Sequence, residues 1–241
     1  KTSHDIRGPL ASLKGICNVA LMDVRDPMAT DYLKKLDATA TKMNSILSRL
    51  LIINQINHSV LAVNDIHLKS LVNEIIGIEV KKGLPAGLKI EVNIPLDLTL
   101  RSDVGMVKII LENLIDNAVK FRNDSSRVQS FVRITAQRDK GLVYVRVKDN
   151  GIGIHPSERE KIFSLFSRAS EKSESGGVGL YLSKLATNKL GGDIKLEDYN
   201  EEYTEFVVSF LEDVEPLLKK RSREIQRLEE EKAKQKDTEN S

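Results

Sequence analysis

The chain has 241 residues, 40% of them hydrophobic and 30% charged, enough for a packed core under a heavily charged surface. Its 37 basic and 35 acidic residues nearly cancel, so no electrostatic argument points to nucleic acid or to an anionic membrane. The single cysteine, Cys17, excludes an internal disulfide, and no apolar run approaches the roughly 20 residues that span a bilayer.

Residues 2–25 read as a helix, with Ile6, Leu10, Leu13, Cys17, Leu21 and Val24 at three- and four-residue steps and Pro9 as a local kink. Arg25-Asp26-Pro27 breaks it. A second helix covers about 30–57, with Leu33, Leu36, Ala40, Met43, Leu47, Leu50 and Asn54 on one stripe. Two amphipathic helices and a short turn make an antiparallel hairpin at 1–57. One hairpin has little core of its own, so two are expected to pair into a four-helix bundle, giving a homodimer. Cys17 is expected as a small packed apolar residue.

His4 lies two positions before Ile6, about 200° round the helix, and so points away from the seam. A solvated surface histidine accounts for it. So does a nucleophilic imidazole that the neighbouring Asp5 orients or relieves of a proton.

Residues 58–67 read as a linker; His58 and His67 have no ligand-forming neighbours. A helix is expected at 68–80, strands at 88–94 and 98–101, and a helix at 103–121 with Ser102 or Asp103 as N-cap. Strands at 131–137 and 142–148 flank the turn Arg138-Asp139-Lys140-Gly141. Short helices at 156–169 precede a polar stretch, 170–177, of lid-like composition. A helix at 178–190 and strands at 193–196 and 204–211 complete an α/β layer, its helices covering one face of a mixed sheet. Residues 213–241 are dominated by Lys, Arg and Glu and read as a solvated helix fading into a disordered end, rather than a partner-binding coiled coil.

Three stretches carry candidate chemistry. The first is Asp149-Asn150-Gly151-Ile152-Gly153-Ile154, directly after a strand. It sets one carboxylate beside a backbone that lacks Cβ atoms, and that carboxylate can accept a hydrogen bond from the N6 amine of an adenine. Asp-Asn-Gly is equally an ordinary turn. In the second, Asn113 and Asn117 stand four apart, so their amides share one helix face. An amide oxygen there can ligate Mg²⁺, and Lys120 can reach a phosphate as a point charge. Two solvent-facing amides are the plainer account. The third, Ser175-Gly176-Gly177-Val178-Gly179-Leu180, opens a helix and turns N–H groups toward an anion.

In this order the set resembles the catalytic core of a sensor histidine kinase. Ser3-His4-Asp5-Ile6-Arg7-Gly8-Pro9-Leu10 is similar to the H box of the dimerisation and phosphotransfer domain. Residues 109–121 resemble the N box, Asp149 to Gly153 the G1 box, Ile162 to Arg168 with Phe163 and Phe166 the F box, and 175–180 the G2 box. The resemblance covers about residues 1–212. It implies an α+β architecture: an N-terminal helical hairpin forming a dimeric four-helix bundle, then a Bergerat-type ATP-binding sandwich at 68–212, shared with the Hsp90, MutL and gyrase families.

On that resemblance His4 is the phosphoacceptor and Asp5 its general base or orienting group. Asp149 recognises the adenine amine and Asn117 ligates Mg²⁺. Asn113 and Lys120 contact the phosphates; Gly151, Gly153, Gly177, Gly179 and Leu180 shape pocket and lid; Thr204 faces the nucleotide. The implied activity is an ATP-dependent protein-histidine kinase that hands its phosphoryl group to an aspartate of a response-regulator receiver. A dimeric scaffold that binds ATP without catalysis is the alternative. The ATPase relatives place a water-activating glutamate where Asn113 stands; an amide cannot take that proton, so transfer to His4 is favoured over hydrolysis.

The chain departs from the family at Gly8, where Thr or Asn is common and helps dephosphorylate the partner. It departs again at Ser175, which replaces a glycine, and at Tyr203-Thr204-Glu205-Phe206, where a Gly-Thr-x-Phe is usual. The chain reads as a cytoplasmic fragment whose sensor and any membrane segments lie upstream, outside it.

Overall fold

The computed structural model describes residues 2–123, 129–165, 178–199 and 202–239. Helices α1 (Thr2–Asp23) and α2 (Pro27–His58) form the antiparallel hairpin. Asp26 caps α2, its carboxylate accepting from the Ala29 N–H at 2.7 Å, and Pro27 supplies the fixed φ suited to a first helical position. Leu10, Cys17 and Ala40 are buried between the two helices. The expected stripes split there. Leu13, Leu36, Met43 and Leu50 are exposed, and with Ile16, Val19, Met22, Met28 and Tyr32 they leave an apolar face on a single copy. Asn54 is also exposed, and Ile56, only 1% accessible, is the residue that turns inward.

The stretch expected as a linker ends in a strand, β1 (Val63–His67). It pairs antiparallel with β3 (Thr99–Asp103) in a two-stranded sheet. Its sequence hides this because only Ile66 of the five residues is buried, leaving no alternation to read.

The main sheet runs β2 (Lys89–Asn93), β4 (Phe131–Asp139), β5 (Leu142–Asp149), β7 (Thr204–Leu211), β6 (Asp193–Tyr199). Only β2 and β4 are parallel. It is therefore mixed, as expected. Along β4 and β5 the buried residues alternate: Val132, Ile134 and Ala136, then Val143, Val145, Val147 and Asp149. That face lies under α3 (Leu68–Gly83), α4 (Val104–Lys120) and α5 (Gly179–Lys189). The opposite face carries charge: Arg133 bonds Glu91 at 2.8 Å, and Arg146 pairs with Glu197 and Glu205.

Ile110, Leu111, Leu114 and Ile115 of α4 are fully buried against the sheet. Each such side chain contributes about 1.5–3 kcal/mol, so truncating Leu111 to Ala costs about 2–5 kcal/mol. Asp103 starts α4, its carboxylate accepting from the Met106 N–H at 3.0 Å. Ile52, Ile53 and Ile56 pack on this same core, so the last turns of α2 are fastened to the α/β layer.

The charged segment forms a helix, α6 (Glu215–Glu239). Its start is docked, with Val214 buried just ahead of it and Leu217 of its first turn against Gly191; beyond Arg221 the side chains described are exposed. Among the described residues no helix is long and apolar enough to cross a membrane.

Candidate functional site

The site is assembled from the end of β5, one face of α4 and the start of α5. Asp149 is the last residue of β5 and continues the inward set Val143, Val145, Val147. Strand parity thus carries its carboxylate under the helices, where it is 7% exposed. Its one hydrogen bond among the described residues comes from the Gly151 N–H at 2.9 Å. Burial pushes the carboxyl up to about 7 from its ordinary 3.8, and the Gly151 hydrogen bond offsets this only in part.

The loop after Asp149 is held close to the end of α4. The Ile152 N–H donates to the Phe121 carbonyl at 2.9 Å. A Cβ on Gly151 would stand 2.3 Å from that same carbonyl oxygen and 2.8 Å from the Asp149 carboxylate, so only glycine allows this approach. Gly153 has φ +73°, in the region that favours glycine. Asn150 fixes the loop from the other side: its Oδ1 accepts from the Phe131 N–H at 2.7 Å and its Nδ2 donates to the Gln129 carbonyl at 3.0 Å. The sequence had assigned Asn150 no task beyond the turn.

On α4, Asn113 donates from Nδ2 to the Ile109 carbonyl one turn back, at 2.7 Å. That leaves Oδ1 facing α5, where a Cβ on Gly179 would come within 2.8 Å of it. One turn on, the half-buried Asn117 amide makes no hydrogen bond among the described residues. Lys120 places its ammonium 5.8 Å from the Phe121 ring centroid. Glu112 lines the groove between α3 and α4 together with Glu79, Lys82, Asn113 and Asp116, a cavity of about 260 Å³, and its carboxylate lies 3.9 Å from Lys108. It is drawn to the α3 side, so among the described residues no carboxylate takes the place of the Asn113 amide beside α5.

Thr204, 5% exposed, is the register partner of Asp149 across β5 and β7. The strand pairing thus sets the two side chains next to each other. Tyr203, in the place of the usual glycine, sits on the outer side, 5.9 Å from the Phe131 ring and with Lys148 4.6 Å above it. Phe163 packs edge-on against Phe206 at 6.2 Å, which ties the F-box segment to β7. His155, to which the sequence gave no role, caps the 3₁₀ turn Pro156–Glu158 and pairs with the Ser157 hydroxyl at 2.8 Å.

Asn113 and Gly179 are therefore brought together, as are the end of α4 and Gly151, and Asp149 and Thr204. Leu180 follows Gly179 in the first turn of α5, half-buried. His4 and Asp5 lie on the first turn of α1, with side chains outside the described set. Phe166, Arg168, Ser175, Gly176 and Gly177 fall outside the described residues altogether.

These residues fit a purine nucleotide with its cation. A buried carboxylate with spare acceptor capacity matches an exocyclic amine, and Gly151 lets the loop close on the end of α4 beside it. The unbonded Asn117 amide offers one hard oxygen of the kind Mg²⁺ accepts.

Comparison with known proteins agrees. Residues 1–59 match the His Kinase A (phospho-acceptor) domain, and residues 102–214 match the histidine kinase-, DNA gyrase B-, and HSP90-like ATPase domain. The chain is 30% identical over 198 residues to the aerobic respiration control sensor protein ArcB homolog of Haemophilus influenzae, covering 78% of this chain and 59% of that one. It is 25% identical over 200 residues to the signal transduction histidine-protein kinase BarA of Escherichia coli, covering 80% and 22%. The chain thus spans between about a fifth and three fifths of these relatives' lengths. Among solved structures, full-length ShkA in complex with AMPPNP superposes with a TM-score of 0.67 at 22% identity, over 87% of this chain and 44% of that one. The Acinetobacter baumannii histidine kinase AdeS gives 0.61 at 16% identity, over 86% and 97%. The hairpin with its H box, the sheet that buries Asp149 and the paired asparagines of α4 have one common account: the chain belongs to the histidine kinases, as a phospho-acceptor domain followed by an ATP-binding domain of the gyrase B and HSP90 type.

Proposed function

We propose that the chain phosphorylates His4 from Mg²⁺-ATP and passes the phosphoryl group to an aspartate of a response-regulator receiver. The observation that carries this is the buried Asp149 carboxylate, roofed by Gly151 and flanked by Thr204, at the foot of the α4 face that presents Asn113 and Asn117. Asp149 accepts the adenine N6–H, and Thr204 lies beside it. Asn117 would hold the cation, which would supply charge neutralisation to the phosphates. Asn113, Lys120 and the α5 start with Gly179 and Leu180 face the phosphates.

An imidazole nitrogen of His4 attacks the γ-phosphorus in line, the bond to the β-phosphate oxygen breaks, and ADP leaves. The imidazole proton passes to Asp5. With an amide at Asn113 and Glu112 drawn toward Lys108, water lacks a base at that position, which favours transfer to histidine over hydrolysis. The exposed apolar face of the hairpin supports a homodimer. Gly8 supports a weak phosphatase activity at most. The segment acts in the cytoplasm, next to its receiver.

The test is γ-³²P-labelled ATP with the full chain and with His4→Gln. Acid-labile, base-stable label on the wild type and none on the variant is the expected result. Equal labelling of both removes His4 as acceptor. Tight binding of ATP with no label on either would mean a nucleotide-binding scaffold.

A further inference from the structure

Lys189 has no place in the adenine, metal or phosphate chemistry, yet it is among the most heavily bonded side chains described. It is the last residue of α5. Its ammonium donates to the Ile56 carbonyl, to the Ser59 carbonyl at 2.6 Å, to the Asn57 carbonyl at 3.2 Å and to the Ser59 hydroxyl at 3.3 Å. Those carbonyls belong to the C-terminal end of α2, where a helix leaves acceptors unpaired and carries the negative end of its dipole. A cation from the ATP-binding domain therefore closes the hairpin's second helix.

The grip is fixed from behind. Arg221 of α6 donates to the Lys189 carbonyl at 2.8 Å. Directly after α5, Gly192 lies so near β7 that a Cβ would stand 2.0 Å from the Ser209 carbonyl oxygen. At its other end the same helix abuts the nucleotide-site asparagine, through the close approach of Gly179 to Asn113 Oδ1. Eleven residues of α-helix make a rod of about 16 Å. One end of this rod touches the phosphate-side amide and the other holds the hairpin.

Further up α2 the seam is different. Arg49 is drawn toward Asp116 of α4, but burial opposes its charge and its Nη1 is buried with no hydrogen-bond partner among the described residues. Saturated at Lys189 and incomplete at Arg49, the hairpin is held at its foot.

We propose that Lys189 is a positioning residue that ties the end of α2 to α5, so that the orientation of the phospho-acceptor hairpin is registered at Asn113. The proposal rests on the kinase reading of the site above. In the full chain, Lys189→Met slows single-turnover phosphohistidine formation at saturating ATP by about tenfold, the factor expected for losing one charged hydrogen bond from the productive geometry. It leaves the affinity for AMPPNP within about twofold, because no nucleotide contact changes. Lys189→Arg, which can reach the same carbonyls, restores most of the rate. Hydrogen exchange at the Ser59 amide, which donates to the Gln55 carbonyl at 2.8 Å, rises in the Met variant while exchange in β5 does not.

A wild-type rate or a faster one in Lys189→Met overturns the proposal. So does an equal loss in the Arg variant, or a loss of AMPPNP affinity matching the loss of rate. If the wild type itself forms no phosphohistidine, the kinase reading fails instead, and unchanged exchange at Ser59 separately removes Lys189 as the joint.

Discussion

Asp149→Asn separates what the buried carboxyl does for folding from what it does for binding. Without nucleotide, the folded chain holds a proton on Asp149 up to about pH 7, whereas the ordinary value is 3.8. Between those values the native state binds a proton that the unfolded state has released, so stability falls as pH rises through this window. Below it both states are protonated and the effect vanishes; above it the loss is complete. The interval of about three pH units corresponds to roughly 4 kcal/mol at 1.36 kcal/mol per unit. An amide has no such dependence and keeps an oxygen for the Gly151 N–H, but its own NH₂ lacks a partner, at a cost of about 1–3 kcal/mol. The variant is therefore more stable than wild type at pH 8, by about 1–3 kcal/mol, and the advantage disappears or reverses near pH 4. Urea denaturation followed by circular dichroism at pH 4.5, 6 and 8 measures the difference, in which most other titrations cancel. A stability difference that does not vary with pH would refute the reasoning. Binding moves the other way: an adenine amine needs the ionised carboxylate, so AMPPNP affinity of the wild type falls about tenfold from pH 8 to pH 6, and the Asn variant binds weakly at both.

Three further outcomes follow from the same geometry. Gly151→Ala forces a methyl group against the Phe121 carbonyl, so the loop must shift; stability drops by about 1–3 kcal/mol and AMPPNP binding, read by isothermal calorimetry, weakens by at least about tenfold. Asn117→Ala removes the amide oxygen assigned to the cation; AMPPNP affinity that depends on added Mg²⁺ in the wild type becomes insensitive to EDTA, and retained Mg²⁺ dependence would place the cation elsewhere. Asn113→Glu supplies a carboxylate beside α5; phosphate release should rise and His4 labelling fall, and a variant with neither change would show that this position does not govern the fate of the γ-phosphoryl group.

What the sequence made legible was local. The order strand, Asp149, Gly151, Gly153 set a carboxylate beside a backbone without Cβ atoms, which needs only neighbouring residues; that this carboxylate is buried is visible only in the parity of the folded β5. The four-residue spacing of Asn113 and Asn117 likewise set two amides on one face of α4. Asp103, one of the two N-cap candidates beside Ser102, caps α4, and the burial of Cys17 followed from the same kind of local pattern. β1 was missed because its pairing partner lies more than thirty residues away and its own residues are mostly exposed. The expected apolar stripe of α2 ran through Asn54, whereas Ile52, Ile53 and Ile56 face a core that only the folded second domain provides.

The same limit applies to Lys189. In sequence it is an ordinary lysine near a helix C-terminus, where a cation is favourable whatever it contacts. Its acceptors are 130 to 133 residues upstream, and no periodicity links them. The distinction has a chemical counterpart. The residues proposed to hold the nucleotide come in short motifs because a turn, a strand end and one helix face suffice to shape a pocket. Delivery of the phosphoryl group to a separate helical hairpin depends on how two domains are joined. Beside the apolar contacts of Ile52, Ile53 and Ile56, the polar part of that joint is one side chain, Lys189, which meets backbone carbonyls of α2 and is backed by Arg221. Backbone acceptors put no constraint on the identity of the residue that presents them, so the contact leaves a trace on one side only. A histidine kinase can therefore announce its chemistry in its sequence while the coupling between its domains becomes visible only in the fold.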